Sequence, residues 1–321
     1  MREALTRSLF KAAALVAVLS LVGAVYAQEE VEFEKVEEEP EMEMKSTDDP
    51  GPKISTSVGI KLLSERNSRG MILEDQGMDW QALLGVNVEI VENFSITSGV
   101  WLDIHSYNGG GGPSAEAAGA GTANTGLDSF YEFDWWIGFN LKVDKLNITA
   151  YYEEFLNPAD DFASQTGGFE SRHVQTVFTY DGLLDDVYGD IDLKPYVRIL
   201  WEAAGKAGPG RDQGEYVEIG IAPSTQITDI DGVPITMTVP VTVGLGFDGF
   251  YEGNTHLGFV AVGVHFSMPL GFLSDYGSWS LSTGVDMIDG NDSAVGNFNT
   301  NVAGQTNDTR VIASIGLSGS F

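Results

Sequence analysis

Polar and apolar residues alternate with a period of two along most of this chain from residue 53 onward. Twelve segments carry the pattern, near 53–63, 79–91, 93–106, 129–143, 145–156, 171–180, 192–203, 215–223, 235–248, 256–268, 278–288 and 309–321. Successive side chains of a β-strand point to opposite faces, so each segment predicts a strand with one apolar and one polar side. The segment at 129–143 is the sharpest. Tyr131, Phe133, Trp135, Ile137, Phe139, Leu141 and Val143 share one register, and Glu132, Asp134, Gly138, Asn140 and Lys142 share the other with Trp136. At 79–91, Trp80, Ala82, Leu84, Val86, Val88 and Ile90 oppose Gln81, Gly85, Asn87 and Glu89. At 309–321, Val311, Ala313, Ile315, Leu317 and Phe321 oppose Arg310, Ser314, Gly316, Ser318 and Ser320, with Ile312 out of character.

A row of seven large apolar side chains suits lipid better than the core of a sandwich. Strands of ~9–11 residues span a bilayer when tilted, and only helices and closed barrels satisfy the backbone in hydrocarbon. No stretch after the N-terminus reaches the ~18–20 apolar residues of a membrane helix. The predicted fold is therefore all-β: an antiparallel transmembrane β-barrel of about 12 strands, with 10 or 14 also giving the even number that places both termini at one rim.

Connection lengths support this. The first, third and fifth (64–78, 107–128, 157–170) are long, while Glu92-Asn93 and Val143-Asp144-Lys145 are tight, as when turns face the periplasm and loops face outward. Residues 181–191 and 224–234 should be tight and are not, although Asp181-Gly182 and Asp229-Ile230-Asp231-Gly232 carry turn chemistry. Pro240 falls inside the ninth segment and predicts a bulge or an irregular barrel there, because proline removes a ladder donor. Trp80, Trp101, Tyr151, Tyr152, Tyr180 and Trp201 fall near strand ends, where aromatic girdles form at membrane interfaces.

The first 52 residues are of a different kind. Arg2, Arg7 and Lys11 precede an apolar run at Ala12–Val25, and Val25-Tyr26-Ala27 has the small residues of a cleavage site. Residues 1–27 thus read as a signal peptide and the mature chain begins at Gln28. Residues 28–52 are rich in Glu and Asp, punctuated by Pro40, Pro50 and Pro52, and read as an acidic disordered periplasmic tail. The barrel takes residues 53–321.

Charge narrows the partners. The chain has 17 Lys and Arg against 47 Asp and Glu, a net charge of −30. Phosphate contacts need basic side chains, so nucleic acid is excluded as a partner. An acidic surface attracts cations, and divalent ions are among the expected partners. The absence of cysteine excludes disulfides, thiolate metal sites and a catalytic thiol. The four histidines are isolated, and no nucleophile elbow or metal-binding pair occurs. Asp229-x-Asp231-Gly232 and Asp289-Gly290-Asn291-Asp292 read as turns, not calcium loops. Neither a cofactor nor a catalytic residue is assigned. A barrel hydrolase can assemble its residues from separate strands, in which case His105 or His173 would be the base.

The polar registers predict the residues that face the lumen: Glu132, Asp134, Glu153, Lys194, Arg198, Glu202 and Glu218. Mixed charges of this kind either pair and plug a small barrel or line a narrow channel. Their acidic excess predicts a mild preference for cations.

Two resemblances add to this. The last strand, ending on Phe321, resembles the closing strand of bacterial outer-membrane barrels. That likeness implies an outer-membrane location, contact with its lipid, and a terminal Phe read by the barrel-assembly machinery. Ser64-Glu65-Arg66-Asn67-Ser68-Arg69-Gly70, Trp80-Gln81, Gly99-Val100-Trp101, Tyr151 to Pro158, Gly214 to Glu218 and Val239-Pro240-Val241 resemble an outer-membrane family of proteobacterial type to which no function is assigned. That likeness brings no catalytic residues and would make Pro240 a family feature. The function expected is a porin-like passive channel for small solutes. The alternatives are a barrel enzyme acting on lipid or lipopolysaccharide, and a non-conducting structural or adhesin-like barrel that uses loops 107–128 and 289–308.

Overall fold

A computed structural model describes residues 53–74, 78–105, 130–156, 171–183, 191–205, 213–230, 232–251, 255–291, 294 and 309–321. The signal segment 1–27, the acidic stretch 28–52 and most of the long connections lie outside the described residues.

The strands are β1 (Ile54–Leu63), β2 (Arg66–Ser68), β3 (Met71–Glu74), β4 (Asp79–Val91), β5 (Phe94–His105), β6 (Phe130–Val143), β7 (Leu146–Leu156) and β8 (Ser171–Tyr180). They continue as β9 (Tyr196–Ala204), β10 (Glu215–Ile221), β11 (Ser224–Ile230), β12 (Val233–Thr238), β13 (Val241–Phe247), β14 (Leu257–Pro269), β15 (Ser278–Gly290) and β16 (Thr309–Ser320). β1, β4 to β10 and β13 to β16 pair in sequence order, every pair antiparallel. The β1–β16 pairing joins the first strand to the last, giving a closed barrel of 12 strands. Each of the twelve predicted segments supplies one staves' worth of this wall.

The period-two pattern decides which residues face outward. Opposite partners across the ladder keep the same face, so Ala82, Leu102, Phe133 and Leu156 align on one side of β4–β7. Ile60, Leu84, Ile96, Ile137, Phe139, Val264, Val285 and Ile315 lie exposed on that outer side all round the barrel. Such a continuous apolar band is the solution required by hydrocarbon, not by water.

The start of β1 and the end of β16 meet at one rim: Thr56 N donates to Phe321 O (3.1 Å) and Phe321 N to Thr56 O (2.9 Å). Tight turns at Asn93 and Asp144, both with positive φ, lie at this terminal rim, as does the longer β8–β9 connection. Phe272, Tyr276 and Phe321 stand exposed at the terminal rim, with Trp279 edge-on to Phe321 at 5.6 Å. Of the aromatics assigned to girdles, Trp80, Tyr180 and Trp201 are exposed and outward. Trp101 and Tyr151 are not girdle residues, because their registers place them inward, under Arg66 and beside Gln175.

Pro240 is not at a bulge. Thr238 pairs with His265 and Val241 with Val262, so the register with β14 runs unbroken past the proline. Pro240 O accepts from Gly263 N (2.7 Å), and only the return bond is missing. Gly263 makes this possible, since a Cβ there would stand 3.0 Å from the Pro240 ring. Across the hairpin, Val239 N donates to Pro223 O (2.9 Å), so Pro223 stands opposite the residue that precedes Pro240. Beyond them β11 and β12 continue the pairing, with a register shift between Gln226 and Thr228, and turn at Gly232, whose φ is +83°. The long segment 224–234 is therefore a tight turn carried past the rim on an extended hairpin.

Candidate functional site

The inner face has two halves of different chemistry. Toward the terminal rim it is lined mainly by small uncharged groups, with Glu89 and Lys142 in the same register at the edge. Asn140 Nδ2 donates to Asn87 Oδ1 (3.0 Å) and Ser95 Oγ (3.3 Å), and Thr149 Oγ1 donates to Asn140 Oδ1 (2.8 Å). Midway, Trp136 lies across Gly85 and Gly99, which have no side chain to obstruct its ring.

Toward the loop rim the lining becomes charged and aromatic, and the chain itself crosses it. β2 and β3 form a short hairpin within the first long connection, which the sequence reading took for a plain loop. Arg69 (φ +53°) and Gly70 (φ +86°) are its two turn residues, the backbone signature of a type I′ turn. Asn67 Oδ1 accepts from Gly70 N at 3.1 Å and steadies it. The hairpin folds inward. Arg66 Nε donates to Asp103 Oδ2 (2.8 Å) and Nη2 to Glu132 Oε2 (3.4 Å), with its guanidinium 4.9 Å from the Trp101 ring. Arg69 lies over Phe155 (5.0 Å) and Tyr216 (6.0 Å), and its carbonyl accepts from Tyr251 Oη (2.9 Å). Met71 is buried with Leu200, Tyr216, Phe250, Tyr251 and Phe259. The hairpin thus leaves the β1–β4 side of the wall and seats against β7, β9, β10 and β14. Phe250 and Tyr251 reach in to meet it from the β13–β14 connection, where Asp248 (φ +51°) and Gly249 (φ +93°) reverse the chain.

Six of the seven residues assigned to the lumen belong to the inward register. Glu132 pairs with Arg66, and Asp134 lies beside it at 4% exposure. Glu153 Oε2 lies 2.9 Å from His173 Nε2. Arg198 Nη1 lies 3.4 Å from Glu218 Oε1, and Glu218 also accepts from Tyr196 and Tyr216. Glu202 Oε2 accepts from Gly214 N (2.7 Å). Lys194 is in no strand. It stands in the 191–195 connection at the terminal rim, 3.5 Å from Asp192, where the sequence reading had extended the strand too far. Asp79, Trp101, Asp103, Tyr196 and Tyr216 face inward as well. Strict alternation would have found the two aspartates, each in the polar register of its segment; Arg66 and Arg69 carry no such signal.

Glu218→Gln is expected to cost on the order of 3 kcal/mol, because Arg198 would keep its burial and lose its partner. Urea unfolding followed by tryptophan emission measures it; a shift under a few tenths would mean the pair is solvated.

His173 has Glu153 to orient it, but neither His173 Nδ1 nor Ser171 Oγ, two residues away on the same face, has a hydrogen-bond partner. No nucleophile–base contact is formed there. The side chain of His105 lies outside the described residues.

No known sequence family and no curated protein matches the chain. The finer likeness to a proteobacterial family thus gains nothing from them. The similar solved structures are barrels. An outer membrane channel from Pseudomonas putida F1 has 10% identity and a TM-score of 0.45 over 85% of this chain and 96% of its own. LpxR from Salmonella typhimurium has 9% identity and a TM-score of 0.42 over 82% and 99%. The NanC porin has 9% identity and a TM-score of 0.40 over 83% and 99%.

Proposed function

We propose that the protein is an outer-membrane channel for small solutes, with a lumen that favours cations over anions. One observation supports this above others. Inside a closed wall with an apolar exterior, the inward register of the terminal half is mainly Gly, Ser, Thr and Asn, with Glu89 and Lys142 at its edge, while the loop half carries charged groups and an inward-folded hairpin. A structural barrel has no need of that gradient, whereas a channel needs a wide entry and a short selective zone.

The sign of selectivity comes from the narrow zone. Asp79, Asp103, Glu132, Asp134 and Glu153 line β4–β7, against Arg66 and Arg69 from the hairpin. The field there is negative, which concentrates cations and repels anions. The location follows from the same reading. The apolar band faces lipid, both termini lie in the periplasm, and Phe321 is presented at the terminal rim for the assembly machinery.

Purified protein in planar bilayers should give discrete conductance steps. In a KCl gradient, the zero-current potential should carry the sign of cation preference and fall toward zero in Glu132→Gln with Asp134→Asn. A barrel that never conducts defeats the channel, and an anion-signed potential defeats the selectivity.

A further inference from the structure

The hairpin arginines occupy a face of the lumen that has the chemistry of a receptor for organic cations. Arg66 presents its planar fork to two carboxylates at once, Asp103 Oδ2 at 2.8 Å and Glu132 Oε2 at 3.4 Å. Its flat face lies 4.9 Å from the Trp101 ring. Paired carboxylates and an aromatic plate are the two elements that select a guanidinium over a simple metal cation. Arg69 repeats the aromatic half of the arrangement on Phe155 and Tyr216.

Two further observations say that the hairpin does not fill this face. Asp134 is 4% exposed, on the same inward register as Glu132, and its Oδ1 has no hydrogen-bond partner. Two strands along, on β8, His173 is fully buried against Glu153, and its Nδ1 has no partner either. A buried polar atom without a partner is costly, so Asp134 Oδ1 and His173 Nδ1 are polar capacity that the hairpin and the ion pairs of their own residues leave unused.

We propose that this face binds small organic cations bearing a guanidinium or primary ammonium group, and that Arg66 holds the site as a tethered stand-in until such a solute displaces it. The site rests on the channel reading for passage of the solute, but not for its binding. A tethered group on a short segment competes at an effective concentration on the order of millimolar, so the intact protein binds a free guanidinium weakly. Removing the tethered group therefore strengthens binding, the opposite of what removing a structural ion pair does to a binding site.

The test is calorimetric titration of the full-length protein in detergent with agmatine, against NaCl of equal ionic strength. Arg66→Ala should bind agmatine at least ~10-fold more tightly than the unaltered protein, with the millimolar tether gone. Adding Glu132→Gln should abolish the gain. Agmatine should also raise the melting temperature of Arg66→Ala and leave that of Gly271→Ala, a position with open space around it, unmoved. If Arg66→Ala does not fold, Arg66→Lys keeps the charge without the fork and should bind agmatine with intermediate strength. Affinity unchanged or weakened in the folded Arg66 variant, or indifferent to Glu132→Gln, overturns the site. Binding without KCl conductance overturns the channel alone; conductance without binding overturns the site alone.

Discussion

Excising residues 66–74, with a Gly-Ser linker of equal length in their place, is expected to raise single-channel conductance several-fold. Conductance is set by what obstructs the lumen, and this hairpin crosses it. It seats Arg66 on Asp103 and Glu132, Arg69 on Phe155 and Tyr216, and Met71 among Leu200, Phe250 and Phe259. None of these contacts belongs to the wall, whose strands pair without the hairpin. The barrel should therefore still form, with a lower melting temperature, since several apolar side chains lose cover at roughly 25 cal/mol per Å². Selectivity should move in the same experiment. With two guanidinium groups gone and the wall carboxylates left, the zero-current potential should shift further toward cations. Unchanged conductance would place the constriction elsewhere, and a shift toward anions would mean that the carboxylates do not face the conducting path.

The second large effect concerns Trp136 and the glycines beneath it. Gly99→Leu is expected to prevent the barrel from closing. A Cβ at Gly99 would collide with the Trp136 ring and come within 2.5 Å of Leu84 O, which is backbone of the neighbouring strand. Trp136 cannot withdraw outward without exchanging the faces of β6, and Leu84 O cannot move without loosening β4–β5. Overpacking a filled site costs about 1–3 kcal/mol where side chains can yield, and more where backbone must. Gly85→Ala meets Ser57 Oγ at 2.6 Å, the end of a small side chain that can rotate, and should cost less. The readout is the fraction that folds into vesicles, seen as a heat-sensitive shift in gel mobility. Normal folding of Gly99→Leu would show that Trp136 does not pack across the lumen.

How legible all this was depended on which interactions carried each feature. The wall was readable because the alternation of Phe133, Trp135, Ile137 and Phe139 against Glu132, Asp134 and Asn140 states both the strand and its outward face. Of the two outcomes that Pro240 allowed, a bulge and an irregular barrel, the structure has the second: the segment breaks there into β12 and β13. Pro223, paired with Val239 on the partner strand, helps to make this break the base of a projecting hairpin. Trp101 and Tyr151, by contrast, were misplaced. Nearness to a strand end suggests a girdle, but the face of the strand decides it, and their faces are inward.

The sequence by itself determined a closed antiparallel wall of about twelve strands, its apolar exterior and most of the charged residues on its inner face. These follow from a local rule, since side-chain direction repeats every two residues whatever the rest of the chain does. Only the tertiary structure decided that the first long connection folds inward and puts Arg66 and Arg69 against an acidic, aromatic wall. Those contacts join residues far apart in the chain, Arg66 with Glu132 and Arg69 with Tyr216 and Tyr251. Nine residues of turn and short strand have no periodicity long enough to announce where they will dock.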